Sequence, residues 1–341
     1  MAETQMTPDA KAPTAPSAPP APDAAPHSAL AHYPVTFFAV VMGLAGLTLA
    51  LHAASAALGV TDAPARVMFY VTGAVFVAIA AGYIAKALRY PQMVRAEWHH
   101  PVRLSFFPAI SISLLLLAVA ALGHNRALAE GLWLAGMGGQ GVLTIAVVTG
   151  WIGTRSFLMG SLSPAWFIPA VGNVIVPLAG AQLGYIELSW YFMSVGVMFY
   201  IVLLTLVMNR LIFHDPLPGK LQPTLVILIA PPAVAFVAWL RLTGEVDAFA
   251  RILLNVAYFF TLIVAVQLPR IIALPFAMSF WALSFPFAAI TIASFVYAGE
   301  TGSGLHRLFG TGLLAVLCVV IAALVLRTLR AMKAGEICVP E

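Results

Sequence analysis

From residue 33 onward the chain alternates long apolar stretches with short breaks that hold most of its charges. Ten stretches are long enough to carry a helix across roughly 30 Å of hydrocarbon, a distance that takes about 20 residues. They run approximately 35–58, 66–88, 105–122, 128–152, 165–184, 189–208, 224–242, 250–269, 276–297 and 308–330. Irregular backbone exposed to lipid would leave its peptide groups unsatisfied, so every stretch is expected to be helical. The pattern predicts an all-α integral membrane protein of ten transmembrane helices, with both termini on one side. Residues 1–32, rich in proline and alanine, are expected to form a disordered tail. The transmembrane domain occupies 33–335, and 336–341 form a short C-terminal tail.

Composition excludes the soluble alternatives. Of the 341 residues, 62% are hydrophobic and 9% charged. With a mean hydropathy of +0.97, too little polar surface remains to coat a globule in water. The net charge of +4 resides in tails and loops, where membrane topology accounts for it and a nucleic-acid partner is not implied. Of the 17 Lys and Arg residues, twelve fall on the side that holds the termini. The remaining five are Arg66, Arg126, Arg241, Arg251 and Arg307. That asymmetry places both termini in the cytoplasm and the protein in the cell inner membrane. Cys318 and Cys338 have neither disulfide nor metal spacing.

Prolines mark every second span. Pro108, Pro169, Pro177, Pro231, Pro232 and Pro286 lie in the third, fifth, seventh and ninth stretches, and the interiors of the even stretches have none. Proline removes a backbone hydrogen bond and kinks a helix, which a membrane tolerates where the freed carbonyls face protein or a water-lined cavity. The odd spans are therefore expected to form an inner ring of kinked helices around a passage. The intervals of 61, 62 and 55 residues from Pro108 to Pro169, Pro231 and Pro286 fit a repeating helical hairpin.

Ionisable side chains fall near span ends or in loops, apart from His52 and Glu130 in terminal turns. A proton-coupled carrier usually keeps a carboxylate or histidine in mid-membrane, so an uncoupled pathway is the simpler expectation. A passage without carboxylates is open to anions. Ser111, Asn173, Ser284 and Thr291, all in odd spans, are candidates for its lining, or alternatively for hydrogen bonds between helices. The eight histidines do not face one another as haem ligands would. His99 and His100 beside Glu97 lack a third metal ligand and are expected to pack in their loop. No catalytic motif occurs. The chain is expected to be no enzyme and to need no metal or cofactor.

The segment Val94-Arg95-Ala96-Glu97-Trp98-His99-His100-Pro101-Val102-Arg103-Leu104-Ser105-Phe106 resembles the signature ahead of the third helix in the tellurite-resistance/dicarboxylate transporter family. That family includes the TehA proteins, fungal malate permeases and plant guard-cell slow anion channels. Tyr33 through Leu44, Ser163 through Val171 and Phe280-Trp281-Ala282-Leu283-Ser284-Phe285 fall in the family's order, and the resemblance covers about residues 33–335. It implies five helical hairpins around a central pore, odd helices lining it, and a homotrimer with a pore in each protomer. It also implies a gate at Phe285, with Pro286 following the plant pattern. The expected function is an anion channel or facilitative transporter for inorganic anions or small carboxylates, with Arg103 drawing anions to the cytoplasmic mouth. The alternatives are a proton-coupled efflux carrier for tellurite, sulfite or C4-dicarboxylates and, disfavoured, a membrane oxidoreductase.

Overall fold

The computed structural model describes residues 28–153, 157 and 159–339. Lys11, Arg155 and all but the last five residues of the expected N-terminal tail lie outside the described residues. Among the described residues, ten helical spans are long and apolar enough to cross a membrane. The odd ones are Val35–Leu58, Arg103–Ala121, Pro164–Leu183, Gly219–Thr243 and Met278–Thr301. The even ones are Ala63–Arg89, Arg126–Ile152, Ile186–Phe213, Ala248–Ile272 and Gly304–Lys333. A short helix, Pro91–His99, joins the second span to the third.

The two sets differ in burial. Between 72% and 83% of each odd span's most apolar window is buried, against 22% to 33% for the even spans. A helix apolar all round and buried all round belongs to an interior, whereas one with a lipid-facing majority belongs to a rim. Contacts agree: the first span packs on the third and ninth, the third on the fifth, the fifth on the seventh and the seventh on the ninth, a closed cycle. Each even span packs against the odd span before it.

Backbone form separates the sets again. Every odd span opens with tight 3-10 turns, at Val35–Phe37, Arg103–Phe106, Pro164–Trp166, Gly219–Ile229 and Met278–Leu283, before becoming α-helical. Even spans are continuous α-helices. Proline explains much of the difference. Pro108 stands just before the helix Ala109–Ala121. Pro177 and Pro231 are the second residues of Val176–Leu183 and Ala230–Thr243, and Pro286 is the third of Ser284–Thr301. In a first turn the missing N–H removes no helical bond. These prolines therefore mark changes of helix type, and so does Pro169, the third residue of the short helix Phe167–Val171. The expectation that even spans hold no proline in their interiors needs one correction: the eighth helix runs on to Ile272, so Pro269 lies inside it.

At the end opposite the termini, the first, fifth, seventh and ninth spans each stop at a left-handed glycine, Gly59, Gly184, Gly244 and Gly302. A residue with a β-carbon is strained there. The fourth, eighth and tenth helices then begin on Asn125, Asp247 and Ser303, whose side chains accept from Leu128 N, Ala250 N and His306 N.

Candidate functional site

The fifth span is broken by 3-10 turns at Gly172–Ile175, and its freed carbonyls are met by the fourth helix. That helix buries Ala129, Trp133, Gly136, Gln140, Thr144 and Val147, a stripe at helical spacing facing inward. Thr144 Oγ1 donates to Pro169 O at 2.8 Å and Gln140 Nε2 at 3.2 Å. Trp133 Nε1 donates to Val176 O at 2.9 Å. Asn173 Nδ2 returns to Ala170 O at 2.6 Å and meets Thr144 Oγ1 at 3.0 Å. In lipid an unpaired carbonyl is costly, so these side chains let an irregular span exist.

Two cavities lie along the axis of the odd spans. The first, about 640 Å³ including space open to solvent, is lined by residues of all five, among them Met42, Phe106, Phe167, Ile227 and Trp281. Its lining contains no ionisable side chain. The second, about 1120 Å³ including its open mouth, lies nearer the spans' C-terminal ends and again draws on all five. His52, Gln182, Arg241 and Glu300 are its polar members. Only Phe285 and Val234 line both cavities. The Phe285 ring, 8% exposed, thus stands at the neck between two open spaces.

Glycines seat that ring. A β-carbon on Gly46 would come within 3.3 Å of Phe285 Cδ2 and 2.7 Å of the Ala288 β-carbon, and one on Gly43 would collide with Ser284. Two bare turns of the first span therefore admit the ninth at backbone range. Trp281, one turn before the ring, is tied to the tenth span through Nε1 donating to Thr328 Oγ1 at 2.9 Å.

The four expected lining residues are elsewhere. Ser111 donates to Pro108 O and Gln140 Oε1, both at 2.8 Å. Ser284 and Thr291 donate to Trp281 O and Phe287 O, and Asn173 braces the fifth span. None lines either axial cavity. Ser111 and Asn173 also reach Gln140 and Thr144 of the fourth span, the between-helix alternative open from the sequence, whereas the bonds of Ser284 and Thr291 stay within the ninth span. Pro231 and Pro286 do line the first cavity, whereas Pro108, Pro169 and Pro177 do not. Arg103 begins the third span three residues before Phe106 and is half-buried.

Three features were not anticipated. Lys86 and Glu97, expected at a span end and in a loop, are buried as an ion pair at 2.8 Å with side chains 2% and 3% exposed. Tyr83 Oη donates to Glu97 at 3.0 Å and Lys86 Nζ to Tyr33 O at 2.8 Å. The pair fastens the start of the first span to the helix Pro91–His99, and burial beside it pushes the Tyr33 phenol up to about 12. Second, Ser105 and Ser163 are buried in the opening turns of the third and fifth spans, and their hydroxyls find no hydrogen-bond partner among the described residues. Third, the second cavity has a cation at its rim, Arg241, which the sequence had assigned to topology alone.

Comparison with known proteins gives a consistent result. Residues 32–329 match the family model described as voltage-dependent anion channel, SLAC1. The chain is 29% identical to the S-type anion channel SLAH3 of Arabidopsis thaliana over 88% of its length and 48% of that protein's. It is 29% identical to a tellurite resistance protein TehA homolog of Haemophilus influenzae, over 80% and 83% of the two chains. An uncharacterized transporter of Methanocaldococcus jannaschii is 24% identical over 91% of this chain and 98% of its own. The chain spans about half the length of the plant relatives it matches.

Proposed function

Because the chain belongs to the SLAC1 voltage-dependent anion channel family, we propose that it is a multi-pass membrane pathway for small inorganic anions or carboxylates, closed at Phe285. The carrying observation is the pair of cavities lined by the same five odd spans and sharing only Phe285 and Val234. In this reading five helical hairpins surround the pore, and the aromatic ring is a dewetted plug that a change of rotamer clears. The first cavity offers a cation no carboxylate. The N-terminal, positive ends of the five inner spans point toward the termini-bearing mouth, and Arg103 lies there too, so the field at that entrance favours anions. The termini lie in the cytoplasm, the host membrane is the cell inner membrane, and three copies assemble with a pore in each. The anion-channel and transporter names of the relatives support the substrate class.

The test is anion flux into liposomes holding purified wild-type protein or Phe285→Ala, comparing chloride, nitrate and malate without a pH gradient. Large flux through the variant and little through the wild type is the expected result. Flux that is equal in both and appears only under an imposed proton gradient would replace the gated pore with a coupled carrier.

A further inference from the structure

At the mouth opposite the termini the second axial cavity continues sideways into a third, of about 780 Å³ including its open mouth, between the ends of the first, second and third spans. Five residues line both: Leu49, His52, Val119, Gln182 and Arg241. The side chamber adds Asp62 and His124. Four of these groups carry a positive charge or can donate a hydrogen bond: Arg241, Gln182 and the two imidazoles.

Of the two carboxylates in the joined chambers, the one in the side chamber is already engaged. Asp62 is engaged by His52 Nδ1 at 2.8 Å and by Ser55 Oγ at 3.0 Å. Slight burial raises its pKa, but the bonds from His52 and Ser55 and the charges of His52 and His124 outweigh this and hold it below the usual range. Its charge is thus spent within the chamber. Glu300, the second carboxylate, lines the axial part of the joined chambers, not the side chamber.

A cation here answers a specific electrostatic problem. All five inner spans direct their C-terminal ends at this mouth, and each end carries about half a negative charge. An anion arriving from this side meets those ends first. Arg241, in the last turn before Gly244, stands where it offsets them.

We propose that the joined chambers form a recruiting site for small oxyanions, carboxylates included, headed by the Arg241 guanidinium and completed by Gln182 and His52. A guanidinium presents paired N–H donors that match two oxygens of a carboxylate or nitrate. The site rests on the anion-pathway reading and adds to it the place where the ion loses its first waters before the neck.

The experiment uses the full chain with malate as probe and two readouts. In liposomes, Arg241→Gln in the Phe285→Ala background should raise the half-saturating malate concentration on the order of tenfold, the low end of what a focusing cation contributes. It should also flatten the dependence on ionic strength. Gln182→Leu should shift it in the same direction by less. Arg307→Gln, an exposed change of equal charge on the same face but outside the chambers, should leave it unchanged. In detergent, saturation-transfer NMR should show malate bound to otherwise wild-type protein and released in Arg241→Gln. Loss of binding together with a silent Phe285→Ala would keep the site and remove the gated pore. A conducting Phe285→Ala with the same half-saturation and the same NMR titration in Arg241→Gln would keep the pore and overturn the site.

Discussion

Gly46 of the first span is the floor on which the Phe285 ring rests: a β-carbon there would stand 3.3 Å from Phe285 Cδ2 and 2.7 Å from the Ala288 β-carbon. The second contact is too short to persist and is made by an atom fixed to the backbone, so the ninth span must move. Gly46→Ala should lower stability by about 1–3 kcal/mol, the cost of overpacking. It should also raise the basal anion leak, because the ring loses its seat. Ala288→Gly in the same chain removes the worse clash and should bring the leak back toward wild type. Thermal midpoints and flux on the single and double variants check this.

The neck has two sides, and they should respond differently. Flux through Phe285→Leu, Phe285→Val and Phe285→Ala should rise in that order as the plug shrinks. Phe285→Tyr should stay closed. Val234→Ala widens the same neck by two methyl groups and should open it less than Phe285→Ala does. Liposome flux across the series measures this, and a flat series would show that the ring does not set the closed state.

Much of this arrangement was legible because a membrane imposes long-range regularity on the sequence. The ten spans follow from hydropathy, and the difference between inner and outer helices from prolines kept at Pro108, Pro177, Pro231 and Pro286. Other parts were hidden by the same chemistry. Tight 3-10 turns have no residue pattern of their own in an apolar stretch, so the helix-type changes could not be located. Ser111, Asn173, Ser284 and Thr291 suggest a lining because polar residues in lipid need a reason, and a hydrogen bond to the span's own backbone or to a neighbouring helix supplies that reason equally well. Gln140 and Thr144 were passed over although Trp133, Gly136, Gln140, Thr144 and Val147 recur at spacings of three and four. Nothing in the sequence separates Arg241, Lys86 and Glu97 from the other charges at span ends and in loops, and only folding reveals which of them lies on a cavity or inside the protein.

The Lys86–Glu97 pair gives a third expectation. Both side chains are almost wholly buried, so removing one partner strands a charge. Lys86→Met alone should cost roughly 3–5 kcal/mol, and Lys86→Met with Glu97→Leu should cost clearly less, since a buried pair replaced whole by apolar groups is near neutral. Thermal unfolding of the solubilised variants measures it. A double variant as unstable as the sum of the singles would mean that the bonds from Tyr83 and to Tyr33 O, not the charges, hold this junction.

The polar bracing of the fifth span separates a structural role from a permeation role. Thr144→Val removes the hydrogen bond that Pro169 O receives at 2.8 Å and one from Asn173. Gln140→Leu removes the second donor to the same carbonyl and the acceptor of Ser111. Leaving such groups unpaired costs about 1–3 kcal/mol each, so both variants should melt earlier and the double variant earlier still. Neither side chain lines the axial cavities. In the Phe285→Ala background the order of chloride, nitrate and malate fluxes should therefore stay as it was, for these two and equally for Ser111→Ala and Asn173→Leu. A reordering of those fluxes without loss of stability would return Ser111 and Asn173 to the pore lining, with the helix contacts they now make belonging to the closed state alone.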